Sequence, residues 1–227
     1  MSSKVKELET SGTTSHAAPR GTLFVVSSPS GGGKGTIIRH VLVDVGNLSY
    51  SVSYTTRAPR QGEVDGREYF FVSRETFQEM VAAGEFLEWA CVHGNLYGTS
   101  KSQVIEETNA GGDIILEVDV QGAASVRQLL MDSVSIFILP PSYEVLKQRL
   151  IARGTDSPEE LAVRLRNAPD ELKQYSAFDY VIINDEIERA SAQLASIIDA
   201  ERARCMRQES LVLEAIEKFK SNSIIES

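Results

Sequence analysis

The sequence predicts an α/β fold built around a parallel sheet, and two features carry that prediction. An apolar run rich in β-branched residues, 22–27, is followed by a glycine-rich segment and then by apolar residues at helical spacing over 37–43, a pattern typical of strand, loop and helix. Further apolar strands are predicted at 114–118, 134–139 and 180–183, with helical stretches between them. Strands connected through helices pair in parallel, so a parallel α/β sheet is expected.

The composition limits the class of protein. The 227 residues include 23 Lys and Arg against 32 Asp and Glu, a net charge of −9, with 42% hydrophobic content, as expected for a soluble protein with one core. An acidic chain lacks the excess of basic residues that general nucleic-acid binding requires, and no apolar run approaches the ~20 residues of a membrane span. Cys91 and Cys205 lie too far apart for a zinc site, and the absence of a secretory signal predicts a cytoplasmic protein.

Two segments depart from the alternation of strands and helices. Residues 1–20 are polar and without periodicity, which predicts a disordered extension. In the stretch 51–99, the strand-like pieces Tyr69–Val72 and Phe86–Trp89 flank a helix that Ser73 could cap. We interpret this stretch as an inserted subdomain.

Helix signals dominate the last third of the chain. Ser157, Pro158 and Glu160 supply an N-cap, a first-turn proline and a capping-box glutamate for one helix. Pro169 lies where this helix should still be running, so we expect a kink or a break there. Apolar residues at helical spacing over 187–219 predict one or two amphipathic helices.

The glycine-rich segment is close to the Walker A pattern of a phosphate loop. It runs Ser28, Pro29, Ser30, Gly31, Gly32, Gly33, Lys34, Gly35, Thr36. Glycines let backbone N–H groups surround phosphate oxygens, the lysine reaches the β- and γ-phosphates, and the helix N-terminus favours an anion. Ser28 replaces the first glycine, and Gly35 stands where a Mg²⁺-binding hydroxyl is usual, which leaves Thr36 as the nearest hydroxyl. An ordinary glycine turn is the alternative, but the position between a buried strand and a helix favours a phosphate loop.

A second cluster could hold another phosphate. Arg57 and Arg60 lie three residues apart beside a proline, and Tyr69 follows. Arginine suits bidentate phosphate recognition. Taken alone, this is weak evidence, since arginines beside a loop are more often solvated charges.

Several segments, taken together, carry a resemblance to a known family. They are the glycine loop, Thr-Thr-Arg57-Ala-Pro-Arg60, Glu85-Phe-Leu-Glu88-Trp, Gly94-Asn-Leu-Tyr97-Gly-Thr99, Glu117-Val-Asp119-Val-Gln-Gly122, Arg149-Leu-x-x-Arg153-Gly-Thr, Arg164-Leu and Val181-Ile-Ile-Asn184-Asp. In order and spacing, over roughly residues 21–207, they resemble guanylate kinase.

The resemblance implies a P-loop nucleoside-triphosphate-hydrolase-type, three-layer fold with a five-stranded parallel core sheet. The implied parts are a core over about 21–50, 100–140 and 176–207, a GMP-binding subdomain over about 51–99, a helical lid over about 140–175, and a C-terminal helical extension over 208–227.

The resemblance also implies site residues. ATP would bind the loop 28–36, with Asn184 near the adenine. The implied GMP site has Arg57, Arg60, Tyr69 and Tyr97 around the phosphate, and Ser53, Glu88, Thr99 and Asp119 around the guanine. Guanine presents N1–H and 2-amino donors that a carboxylate accepts, whereas adenine presents an acceptor at N1. Glu88 could otherwise be an exposed strand carboxylate, Tyr69 and Tyr97 core aromatics, and Asp119 could orient a water-bound Mg²⁺ instead.

The implied reaction is ATP-dependent phosphorylation of GMP, and of dGMP, to the diphosphate in purine nucleotide recycling, with Mg²⁺ accompanying ATP. Lys34 would cradle the transferred group, and Arg149, Arg153 and Arg164 would close over it. Arg149 could instead stack on adenine or lie at the surface, and all three arginines could form a solvated helix face. The competing functions are a non-catalytic guanylate-kinase-like module that binds phosphopeptides and a P-loop kinase for another small acceptor. Metal ligands are not predicted, and both a monomer and a homo-oligomer stay open.

Overall fold

The structure, a computed structural model, describes residues 20–60, 62–92, 94–154 and 157–225. The predicted extension therefore lies, apart from Arg20, outside the described residues. The strands are β1 (Leu23–Ser27), β2 (Leu48–Tyr50), β3 (Tyr54–Thr55), β4 (Phe70–Phe71), β5 (Phe86–Val92), β6 (Asn95–Ser100), β7 (Asp113–Val118), β8 (Val134–Leu139) and β9 (Tyr180–Ile183). The helices are α1 (Lys34–Asp44), α2 (Arg74–Ala82), α3 (Lys101–Asn109), α4 (Val120–Leu129), α5 (Tyr143–Arg153), α6 (Pro158–Leu172), a 3₁₀ helix (Lys173–Ala177), α7 (Ile187–Arg202) and α8 (Cys205–Ile225).

The core is a five-stranded parallel sheet in the order β2-β7-β1-β8-β9, as predicted. Successive side chains of a strand point to opposite faces, so β1 contributes to two apolar layers. Phe24 and Val26 pack in the layer formed with α1 and α7, while Leu23 and Val25 pack in the layer formed with α3 and α4. The result is a sheet covered by helices on both faces. The strand predictions at 134–139 and 180–183 are confirmed to the residue.

A second sheet lies within the stretch 54–100, with the strand order β4-β3-β6-β5. Helix α2 packs on it through the buried ring of Phe77, which stacks on Phe86 with 4.5 Å between centroids. The predicted cap is confirmed, since the Ser73 hydroxyl accepts the backbone N–H of Thr76 at 3.1 Å. This small sheet positions the second polar cluster described below.

Helices α5 and α6 share their own apolar cluster. The predicted capping box is present in full at Ser157 and Glu160. Of the kink or break expected at Pro169, the break was wrong, because α6 continues to Leu172 before it tightens into the 3₁₀ helix. The buried neighbour Ala168 packs on α5 and holds the turn in place, and the carbonyl of Pro169 still accepts a backbone N–H from Lys173.

The C-terminal part contains two helices, α7 and α8, which confirms the prediction of one or two helices over 187–219. Helix α7 packs on α1 through Leu194 and Ile198. Within the described part of the chain, no helix combines the length and the apolar character needed to cross a bilayer.

Candidate active site

The glycine loop joins β1 to α1 at the carboxyl edge of the core sheet. Gly31 and Gly33 have φ angles of 87° and 90°, in the left-handed region that glycine adopts without a steric penalty. A Cβ at Gly33 would lie 2.3 Å from Nδ2 of Asn184. The close approach of this side chain therefore requires glycine there, which an ordinary turn would not explain.

Two side chains fasten the loop from the side of β9. The Nδ2 of Asn184 donates to the carbonyl of Gly32 at 2.9 Å, and Nη2 of Arg149 donates to the carbonyl of Asn184 at 2.9 Å. Asn184 is buried, and its Oδ1 has no hydrogen-bond partner among the described residues. Burial lowers the pKa of Arg149 below its usual value. Arg149 is therefore partly buried and hydrogen-bonded beside the loop, not a solvated surface side chain.

Helix α6 reaches the opposite side of the loop. The Arg164 guanidinium donates to the hydroxyl of Ser30, and the backbone N–H of Ser30 donates to Oε2 of Glu171 at 3.2 Å. Arg153 ends α5 and is exposed. The structure therefore brings two of the three predicted arginines, Arg149 and Arg164, to the loop.

A carboxylate that sequence reasoning missed lies beside Lys34. Oε1 of Glu117, near the end of β7, is 3.6 Å from Nζ of Lys34. Its Oε2 accepts from the hydroxyl of the partly buried Tyr50 at 3.3 Å. Burial and, to a smaller extent, the charge of this carboxylate raise the pKa of Tyr50. The register, with Glu117 opposite Val26 of β1, could have indicated it, since adjacent parallel strands end at the same edge.

The oxygen atoms near the loop suit a hard cation. In the part of the chain that the structure describes, no group of three or more His, Cys, Asp or Glu could hold a metal ion. The Glu117 carboxylate and the Thr36 hydroxyl are nevertheless the ligand types that Mg²⁺ takes beside substrate phosphates and water. Thr36 Oγ1 accepts from Nη2 of Arg39 at 3.3 Å.

A buried carboxylate marks the second polar cluster. Glu88 is only 8% exposed, which contradicts its alternative role as an exposed strand residue. It lies opposite Thr99 across β5 and β6, and Thr99 Oγ1 donates to Glu88 Oε1 at 2.6 Å. Burial raises the pKa of Glu88, the Thr99 hydrogen bond lowers it, and Asp119 raises it further, with a net rise.

Asp119 and Gly122, which follow β7 of the core sheet, lie next to the Glu88 carboxylate. Asp119 caps α4 by accepting the backbone N–H of Gly122 at 2.8 Å. A Cβ on Gly122 would lie 3.0 Å from Glu88 Oε2 and 3.2 Å from Asp119 Oδ1. Three of the four predicted guanine residues, Glu88, Thr99 and Asp119, thus lie together, and the fourth, Ser53, is buried in the same sheet region before β3.

Three of the four predicted phosphate residues, Arg57, Tyr69 and Tyr97, lie together. The Arg57 guanidinium lies 5.4 Å above the ring of Tyr69, which meets Tyr97 edge to face at 5.9 Å. The Arg57 side chain is 12% exposed, so it is not a solvated charge. Burial opposes a rise in the pKa of Arg57, but its hydrogen bonds and ion pair with Glu63 outweigh that and raise the pKa. Arg60 is half-buried.

A phosphate loop at the edge of a parallel sheet, next to a small sheet that presents a buried carboxylate and a stacked arginine, defines a P-loop kinase with a separate acceptor site. The guanylate kinase family model matches residues 20–201. The chain belongs to the guanylate kinase family, which confirms the resemblance and identifies a nucleoside monophosphate kinase.

Individual relatives agree over nearly their whole lengths. A guanylate kinase of Symbiobacterium thermophilum is 50% identical over 198 residues, 87% of this chain and 94% of that protein. A guanylate kinase of Nitrosomonas europaea is 50% identical over 186 residues, 82% of this chain and 92% of that protein. The crystal structure of guanylate kinase from Anaplasma phagocytophilum matches with a TM-score of 0.72 and 35% identity, covering 84% of this chain and 91% of that one.

Proposed function

We propose that this protein transfers the γ-phosphoryl group of ATP to the α-phosphate of GMP, or of dGMP, yielding ADP and the nucleoside diphosphate. The observation that carries the choice of acceptor is the buried pair of Glu88 and Thr99 with Asp119 beside it. Membership of the guanylate kinase family supports it.

The guanine edge matches this pair chemically. Thr99 takes one oxygen of Glu88, which leaves Oε2 and its lone pairs to accept from N1–H and the 2-amino group of guanine. Adenine would place an acceptor against the carboxylate and leave buried polar groups unpaired. A site of this kind rejects the wrong analogue by a factor of ~10⁴ or more.

Two anionic substrates must approach each other, so positioning and charge neutralisation dominate catalysis. The attacking oxygen is already an anionic phosphate oxygen near neutral pH, and a general base is unnecessary. We assign the GMP phosphate to Arg57, Arg60, Tyr69 and Tyr97. Lys34 would neutralise the transferred group from the loop.

The lid arginines would act on the same group. Arg164 is within reach of the loop through Ser30, and we assign Arg153, which is exposed, to contact the phosphates when the lid closes. Arg149 and Asn184 hold the loop, and Asn184 Oδ1 is the acceptor that we assign to the adenine amino group.

We propose Mg²⁺ as the companion of ATP. Glu117 and Thr36 would hold it, directly or through water, next to Lys34. When bound, the ion supplies charge neutralisation on the β- and γ-phosphates. We also propose that the enzyme works in the cytoplasm.

The phosphopeptide-binding alternative is not favoured. It would use Arg57, Arg60 and Tyr69 but gives no role to Lys34, to the glycine that the loop requires at position 33, or to the buried Glu88. A kinase for another small acceptor likewise leaves Glu88 and Thr99 without a role.

The test is ADP release in a coupled assay with GMP, AMP, UMP and CMP as acceptors. We expect strong preference for GMP. Equal turnover of AMP would overturn the assignment of the guanine site, and failure to bind ATP would favour the phosphopeptide module.

A further inference from the structure

Glu63 accepts three hydrogen bonds beside the phosphate cluster. Nη2 of Arg57 donates to both carboxylate oxygens, at 2.8 Å to Oε1 and 2.9 Å to Oε2. The backbone N–H of Arg60 donates to Oε2 at 2.7 Å. One carboxylate therefore binds the side chain of one predicted phosphate ligand and the main chain of the other.

These contacts fix a side chain that would otherwise have many rotamers. Arg57 is held from a second direction by the carbonyl of Ala58, which accepts from Nη1 at 2.7 Å, and lies over the rings of Tyr69 and Phe71 at 5.4 and 5.8 Å. A guanidinium has five N–H donors, so Glu63 and Ala58 leave donors for a phosphate. An arginine ordered in advance loses less entropy when it binds.

We propose that Glu63 is a positioning residue that orders Arg57 and Arg60 for the phosphate of the acceptor nucleotide. The proposal rests on the function proposed above, since it takes GMP as that acceptor. Glu63 itself touches no substrate in this assignment, because its two oxygens face Arg57 and Arg60.

A purely electrostatic role for Glu63 and a positioning role predict opposite changes in phosphate affinity when Glu63 is removed. The direction of the change therefore tests the proposal. Glu63 places a negative charge 2.8 Å from Arg57, and its side chain is 17% exposed. If it acted only as a charge, its removal would strengthen attraction for an anionic phosphate. If it positions the arginines, its removal weakens binding of the phosphate.

The experiment compares GMP with guanosine, which carries the same base without the phosphate, in the full-length protein. For Glu63→Gln, we expect the Kd of GMP to rise about 10- to 100-fold, the loss typical of charge-assisted hydrogen bonds, while the Kd of guanosine changes by less than about twofold. The KM for GMP should rise more than kcat falls. Glu63→Asp, which keeps the charge on a shorter arm, should recover part of the loss.

Glu68→Gln is a matched control from the same segment. Glu68 also accepts an arginine, from Nε of Arg67 at 2.6 Å, and a backbone N–H, from Val64 at 2.7 Å, but it contacts neither Arg57 nor Arg60 in these bonds. We expect its GMP affinity to equal that of the unaltered protein.

Unchanged or tighter GMP binding by Glu63→Gln would overturn the proposal. So would an equal loss for guanosine and GMP, because that pattern indicates damage to the whole site. If Glu63→Gln does not fold, Glu63→Asp decides by the same comparison. Failure of the unaltered protein to bind GMP would instead refute the proposed function.

Discussion

Replacement of Glu88 by glutamine tests the guanine site most directly, because it changes one atom in a defined hydrogen-bond arrangement. In one orientation the amide oxygen keeps the Thr99 hydrogen bond, and the new NH₂ group then faces the N–H donors of guanine. In the other, the NH₂ group donates to Thr99 and the amide oxygen faces guanine, but the charge is lost. Either orientation loses at least one charge-assisted hydrogen bond in a side chain that is 8% exposed.

Loss of one such bond corresponds to about 1.5–3 kcal/mol, or roughly 10- to 150-fold in the Kd of GMP at 25 °C. The same substitution should not lower the stability of the protein without ligand. Burial raises the pKa of Glu88, so its charged form is disfavoured by folding, and a neutral glutamine should leave the melting temperature equal or higher.

Calorimetric titration with GMP, together with thermal unfolding, measures both effects. Glu85→Gln is the matched control, since Glu85 is an exposed glutamate just before β5, and it should leave GMP affinity unchanged. A Kd for GMP within threefold of the original in folded Glu88→Gln would refute the assignment of guanine to this carboxylate.

Three further outcomes are expected. Lys34→Ala should reduce phosphoryl transfer by orders of magnitude while GMP binding stays measurable by calorimetry; intact turnover would exclude the loop as the ATP site. Gly33→Ala places a Cβ 2.3 Å from Asn184 at a φ of 90°, and should lower the free energy of unfolding, measured with denaturant, by about 1–3 kcal/mol. Gly154→Ala, at a φ of 62° with open space around the Cβ, should lower it less. GMP affinity should fall as the pH is lowered towards the raised pKa of Glu88, because guanine binds the charged carboxylate. The ratio of GMP affinities between the unaltered protein and Glu88→Gln should then shrink. A ratio that does not change with pH would contradict this.

The sequence predicts the core well where a local pattern decides the structure. Strand β8 is apolar at every residue but Ser135 because both faces are covered, and the Ser157 capping box needs only residues three apart. The break expected at Pro169 was wrong for the converse reason. The lost backbone donor is a local cost, whereas the burial of Ala168 against α5 is a tertiary contact that the local pattern does not contain.

The site residues differ in the same way in how far the sequence could predict them. The residues of the loop and of the resemblance could be named from their order in the chain. Glu117 stands in one segment of the resemblance and Glu63 follows Arg60 in the chain, but neither could be assigned a role from the sequence, because their partners, Lys34 and Arg57, are set by the register of β1 with β7 and by a turn.

Because α6 contacts the phosphate loop, a nucleotide phosphate that binds Ser30 replaces the Glu171 carboxylate there. The backbone N–H of Ser30 already serves the Glu171 carboxylate, and a phosphate oxygen seeking that donor competes with it. The free energy gained at this donor is therefore the difference between its hydrogen bond to the phosphate and its hydrogen bond to Glu171. If a phosphate of the triphosphate takes this donor, α6 loses its Glu171 contact with Ser30 and keeps the contact of Arg164 with the Ser30 hydroxyl, so occupancy of the loop and the hold of the helix on it are coupled.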